Sequence, residues 1–104
     1  MEVPKIFQSE YHFCLILWDN EPVTSTKLVA LCKEKLNWSK STTYTVIRRL
    51  AERGVVKNEN AVCISLVSKQ QFQESLIEKL VFDYFNNNYL EFIGSVNHLM
   101  QDKN

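Results

Sequence analysis

The sequence predicts a mainly α protein: a winged helix-turn-helix of three helices and a short two-stranded wing, followed by C-terminal dimerisation helices. Three observations predict it. Residues 38–54, WSKSTTYTVIRRLAERG, read as a capped helix with an apolar back, a hydroxyl-rich and basic front, and a glycine stop. A second short helix lies just upstream, and a β-rich run broken by polar residues lies just downstream. With only two glycines and two prolines in 104 residues, few loops are available. The expected division is residues 1–67 for the winged helix and 68–104 for a helical dimerisation segment.

The elements follow in order. Ser9 can cap a first helix over about residues 10–19, where Tyr11, Cys14, Leu15, Leu17 and Trp18 give broad apolar coverage. Asn20-Glu21-Pro22 ends it. Thr24 or Ser25 caps a second helix to about residue 35, with Leu28, Leu31 and Cys32 as its buried stripe. After the short link Leu36-Asn37-Trp38, Ser39 caps the third helix. There Val46, Ile47 and Leu50 face inward, with Thr42 or Thr43 joining them near the start. Gly54 stands where a left-handed residue would end the helix. Val55-Val56 and residues 61–67 then flank a polar turn, Lys57-Asn58-Glu59-Asn60, to make the wing. Ser68 with Gln71 is a capping box for a fourth helix to about residue 85. The Asn86-Asn87-Asn88 triplet breaks it, and a last helix covers about residues 89–100.

Phe72, Leu76, Leu80 and Tyr84 on the fourth helix, and Phe92, Ile93, Val96 and Leu99 on the fifth, are more apolar surface than a small domain easily hides. A homodimer interface is the expected sink.

Net charge is zero, but its distribution is uneven. Residues 33–57 hold seven cations (Lys33, Lys35, Lys40, Arg48, Arg49, Arg53, Lys57) against Glu34 and Glu52, a net of +5. Such a localised basic face is the footprint expected for phosphate contact. On the third helix, Lys40, Ser41, Tyr44, Thr45 and Arg48 fall opposite the apolar side, and Thr42 is counted with them. Lys and Arg can donate to guanine N7 and O6, while hydroxyls contact bases or phosphates. Ser39 and the open amides at the helix start suit a phosphate oxygen. Arg49 lies nearer the buried edge, where it either anchors a carboxylate or reaches a phosphate. Arg53 and Lys57 are expected on the DNA backbone. Trp38 and Trp18 are expected in the core.

No cofactor is expected. His12 and His98 lack partners at ligand spacing, and no nucleophile–base arrangement or glycine-rich phosphate loop occurs, so the chain is not read as an enzyme. The odd cysteine count (Cys14, Cys32, Cys63), the lack of an apolar run of about 18 residues and the lack of a signal-like segment fit a reduced cytoplasmic protein away from membranes.

These residues resemble a known family, the penicillinase and methicillin-resistance repressors with their copper-responsive relatives. The resemblance is carried by Trp38-Ser39, Thr42, Thr45, Arg49-Leu50 and Gly54, in the pattern W-S-x-x-T-x-x-T-x-x-x-R-L-x-x-x-G. It extends to Leu17-Trp18 and to Leu66-Val67-Ser68, over about residues 9–100. It implies a dimeric repressor that binds a dyad operator in double-stranded DNA, and it brings in a sensor protease as a partner by resemblance alone. Three features differ. Asn60-Ala61-Val62 replaces the usual Gly-Arg before the second wing strand. The given sequence ends at Asn104, where the family often continues into another helix, so an interface that is reduced or differently built is expected. The dimerisation segment has neither an Asn-Phe cleavage pair nor a cysteine-rich copper motif. A competing reading is a winged-helix protein-interaction module without specific DNA binding, favoured by the balanced charge and short wing. A weaker one is a thiol-based regulator.

Overall fold

In the computed structural model, which describes residues 2–103, the first helix starts at a phenylalanine rather than at its serine. Helix α1 (Gln8–Asn20) has Phe7 at its N-cap, and the Glu10 carboxylate accepts the Phe7 backbone N–H at 2.9 Å. Ser9 lies inside the first turn. Glu10 reaches back to the orphan donor and supplies the acceptor expected from a hydroxyl.

Helix α2 (Ser25–Leu36) is capped by Thr24, whose hydroxyl oxygen accepts the Lys27 N–H at 3.1 Å, while Ser25 turns into the core. Asn37 closes α2 in the left-handed region at φ 57°, a place that glycine or asparagine takes at helix ends. Trp38 follows and lies parallel to Phe13, ring centroids 6.4 Å apart, which seats the link on the core.

Helix α3 (Lys40–Glu52) begins at Ser39, whose hydroxyl accepts the Thr42 N–H at 3.2 Å. Of the two candidate threonines, Thr43 is the buried one, and its hydroxyl donates to the Ser39 carbonyl at 3.2 Å. The far end closes with paired bonds: the Gly54 N–H donates to the Ala51 carbonyl at 3.1 Å and the Val55 N–H to the Leu50 carbonyl at 2.9 Å. Gly54 sits at φ 80°, where any side chain would be strained.

The wing has three strands rather than the two expected. β1 (Val23–Thr24), β2 (Val56–Glu59) and β3 (Val62–Ser65) form an antiparallel sheet in the order β1-β3-β2. A two-residue strand is too short to leave an alternating pattern, so β1 is silent in the sequence. The hairpin turn also lies later than expected. Lys57, Asn58 and Glu59 continue β2, and Asn60 and Ala61 turn the chain with both φ angles positive, at 54° and 61°. Such mirror-image turns match the twist of a hairpin. An alanine held there costs about 1–2 kcal/mol, so composition gives no hint of it. The Ala61 carbonyl accepts the Ser25 N–H at 2.9 Å, fixing the turn to the start of α2. The Glu21 carboxylate accepts the Ser65 N–H at 2.7 Å and its hydroxyl at 2.8 Å, which secures β3 from the other side.

Phe13 and Leu17 of α1, Leu28 and Cys32 of α2, and Ile47 and Leu50 of α3 meet Val55, Val56 and Cys63 of the wing in one core. Along β3, Cys63 points inward while Val62 and Ile64 lie on the outer face.

Ser68 and Gln71 form the expected reciprocal box, at 3.0 and 2.9 Å, and open α4 (Lys69–Tyr84). Phe72 requires a correction. Expected in a dimer interface, it is buried, stacked on Tyr11 at 5.5 Å and tilted against Trp18 at 6.2 Å. It docks α4 onto the winged helix. The Trp18 indole N–H reinforces that joint by donating to the Val67 carbonyl at 2.9 Å. Left-handed Asn86 and Asn87 turn the chain into α5 (Tyr89–Asp102), where Phe85 meets Phe92 edge-on at 5.4 Å.

Helix α5 buries none of its residues. The radius of gyration is 16.7 Å, against about 13 Å for a compact chain of about 100 residues.

Candidate nucleic-acid interface

The three buried positions of α3, Thr43, Ile47 and Leu50, fix which side of the helix is free. Lys40, Ser41, Thr42, Tyr44, Arg48 and Arg49 are exposed, and Thr45 is half-buried. Ser41, Thr45 and Arg48, at spacings of four and three residues, run down the centre of the exposed side. Lys40 and Tyr44 lie along one flank and Arg49 along the other. The hydroxyls at the helix start are tied together: Ser39 donates to the Thr42 hydroxyl at 2.9 Å and lies 3.3 Å from that of Ser41. This cluster crowns the positive end of the helix dipole, a ready place for a phosphate oxygen.

Two expected contacts are otherwise engaged. Arg53 is ion-paired to Glu10, with side-chain exposures of 28% and 8%, and its guanidinium lies over the Phe7 ring at 4.9 Å. Instead of facing solvent with Arg48, it clamps the end of α3 to the start of α1. The partner stands 43 residues upstream, so no local pattern reveals the pair. Arg53→Ala is therefore expected to lower stability by about 1–3 kcal/mol in denaturant titrations, because Glu10 loses its partner in a buried place. The salt dependence of DNA binding should not change; a flattened slope would put Arg53 back on a phosphate.

Lys57 is exposed on β2 but bonded to Glu59 at 2.7 Å. That hydrogen bond and the attraction of the two charges raise the Lys57 pKa and lower that of Glu59. Arg48 has a looser partner in Glu52, at 3.9 Å.

Lys27 was outside the expected set, yet it is exposed in the first turn of α2. The helix preceding a recognition helix crosses the DNA backbone in this architecture. The local signal for it in the sequence is a lysine three residues after the Thr24 cap.

All three cysteines are buried. Burial, with the nearby Glu10 charge adding to it, pushes the Cys14 thiol up to about 12. Burial also raises Cys32, against an opposing hydrogen bond from Thr43, and raises Cys63. Thiols held protonated in a core are poor nucleophiles and poor redox sensors. Among the described residues, no group of three or more His, Cys, Asp or Glu side chains is placed to hold a metal ion. No helix among them is long and apolar enough to cross a membrane.

A capped helix with a basic outer face, set between a short helix and a small antiparallel sheet, defines the winged helix-turn-helix class of DNA-binding domain. The chain belongs to the penicillinase repressor family, whose model matches residues 6–103. It is similar in fold to the solution structure of the DNA-binding domain of the repressor BlaI. The TM-score is 0.57 and the identity 18%, covering 67% of this chain and 90% of that one. A sequence comparison with curated proteins gave no match. Family and fold are those of DNA-binding transcriptional repressors rather than of enzymes.

Proposed function

We propose that this protein is a dimeric repressor that reads a dyad operator by laying α3 in the major groove. The observation that carries the reading is the polarity of α3. Thr43, Ile47 and Leu50 anchor one side, and Lys40, Ser41, Thr45 and Arg48 lie on the other. Lys40 and Arg48 donate to base edges, and Ser41, Thr42, Tyr44 and Thr45 supply hydroxyl or methyl contacts. Ser39, Arg49 and Lys27 approach phosphates, which position the helix without reading sequence. Lys57 reaches the backbone only by leaving Glu59.

The dimer is built on the apolar faces of α4 and α5, with Leu76, Leu80, Tyr84, Ile93, Val96 and Leu99 exposed in one chain. Leu90, also exposed, adds to the apolar surface of α5 beyond the expected stripe. Two α3 helices related by twofold symmetry then face successive major grooves. Such a protein works in the cytoplasm, with its operator.

The test is a gel-shift titration with DNA from the protein's own upstream region and with a scrambled duplex, at two salt concentrations. Lys40→Ala or Arg48→Ala should weaken binding to the native duplex by about 1–3 kcal/mol, with a smaller effect on the scrambled one. Unchanged affinity in both variants would remove α3 from the groove. Failure of the native protein to bind either duplex would favour a winged-helix protein-interaction module.

A further inference from the structure

We infer that Glu52 is a positioning residue for Arg48 and thereby a determinant of DNA specificity; this rests on the DNA-binding reading above. Ser41, Thr45, Arg48 and Glu52 continue one line down the exposed side of α3, and Glu52 is the one carboxylate of that helix. Its Oε1 lies 3.9 Å from Arg48 Nε, with side-chain exposures of 68% and 66%.

Local stability does not account for a glutamate here. It stands in the last turn, where the helix dipole disfavours negative charge. The pair runs from arginine to glutamate, the weaker order for residues four apart. Exposed pairs of this kind contribute little to folding. On a surface that meets phosphates, a carboxylate also opposes binding.

Its effect falls on Arg48. Glu52 stands nearest the Nε of Arg48, beyond hydrogen-bond distance, so its charge attracts the guanidinium from that side and leaves the terminal Nη pair as the fork for DNA. A guanine offers N7 and O6 to that fork together, and the planar guanidinium matches them. A phosphate on an arbitrary sequence must instead draw Arg48 away from Glu52 or tolerate the carboxylate beside it. Glu52 therefore weakens binding to arbitrary DNA more than binding to the operator, so that discrimination comes partly from repulsion.

The experiment measures affinities for operator and scrambled duplexes in four proteins: the native chain, E52Q, R48A and the double variant. E52Q is expected to bind the scrambled duplex more tightly and to lower the operator-to-scrambled affinity ratio by roughly fivefold. In the R48A background, E52Q should raise both affinities alike and leave the ratio unchanged. Melting temperatures check that this exposed substitution leaves the fold intact. A ratio unaffected by E52Q, or one that falls equally without Arg48, overturns the inference while native discrimination keeps the DNA-binding reading standing. A native protein that does not discriminate overturns both.

Discussion

Leu80→Asp combined with Ile93→Asp is expected to convert the protein to monomers and to lower operator affinity by roughly 10²–10⁴-fold. Both side chains are exposed in the single chain, Leu80 on α4 and Ile93 on α5. They belong to an apolar surface that includes Tyr84 at 79% exposure and Leu90 at 81%. Large apolar side chains left this exposed are the surface expected of an interaction site. The docking of α4 through Phe72, Tyr11 and Trp18 ties that helix to the winged helix, and in the proposed dimer it sets how the two α3 helices are related. Carboxylates placed in the interface lose their hydration without gaining partners. Neither substitution touches the winged-helix core, so helicity and the melting transition of that part should survive. Sedimentation equilibrium reads the oligomeric state, and the gel shift reads the affinity. A double variant that stays dimeric would move the interface elsewhere. A monomer that binds the operator as tightly as the native protein would remove the need for a dimer.

Leu50→Ala is expected to cost about 2–5 kcal/mol of folding stability. Leu50 has no exposed surface, lies in the core with Phe13, Leu17 and Leu28, and offers its carbonyl to the Val55 N–H at the close of α3. Truncation leaves a cavity beneath the helix that carries Lys40 and Arg48. Native domains hold only about 5–15 kcal/mol in total, so a large share is at stake. Urea denaturation should show a lower midpoint with an unchanged slope. A loss below about 1 kcal/mol would mean that α3 is not seated on the core as described.

The elements that announced themselves did so through local chemistry. Ser39 and Gly54 bracket α3, Ser68 with Gln71 opens α4, and the asparagine triplet separates α4 from α5; each acts within a few residues of its own position. What escaped the sequence depends on distant partners or on backbone strain. Glu10 caps α1 and holds Arg53 at once, so neither the true helix start nor the loss of Arg53 from the DNA face is local information. β1 exists because β3 lies beside it. The wing turn falls on Asn60-Ala61 because the pairing of Glu59 with Val62 demands it. Phe72 repeats with Leu76 and Leu80 and so looks like one stripe, yet the aromatic pair Tyr11 and Trp18 draws its ring into the core. For the candidate interface, helical spacing was enough to gather Lys40, Ser41, Thr45 and Arg48. Lys57 and Arg48 pair with Glu59 and Glu52, two and four residues away, and spacing alone does not decide between such a pair and an open cation.

Methylation protection of guanine N7, on DNA that the protein retains, tests whether α3 lies in the major groove of a dyad site. N7 lies on the floor of the major groove. Two protected patches related by a dyad are expected, with centres about one helical turn apart or a multiple of it, and Arg48→Ala should weaken both alike. Retained DNA without guanine protection, or a single patch with no dyad mate, would contradict it.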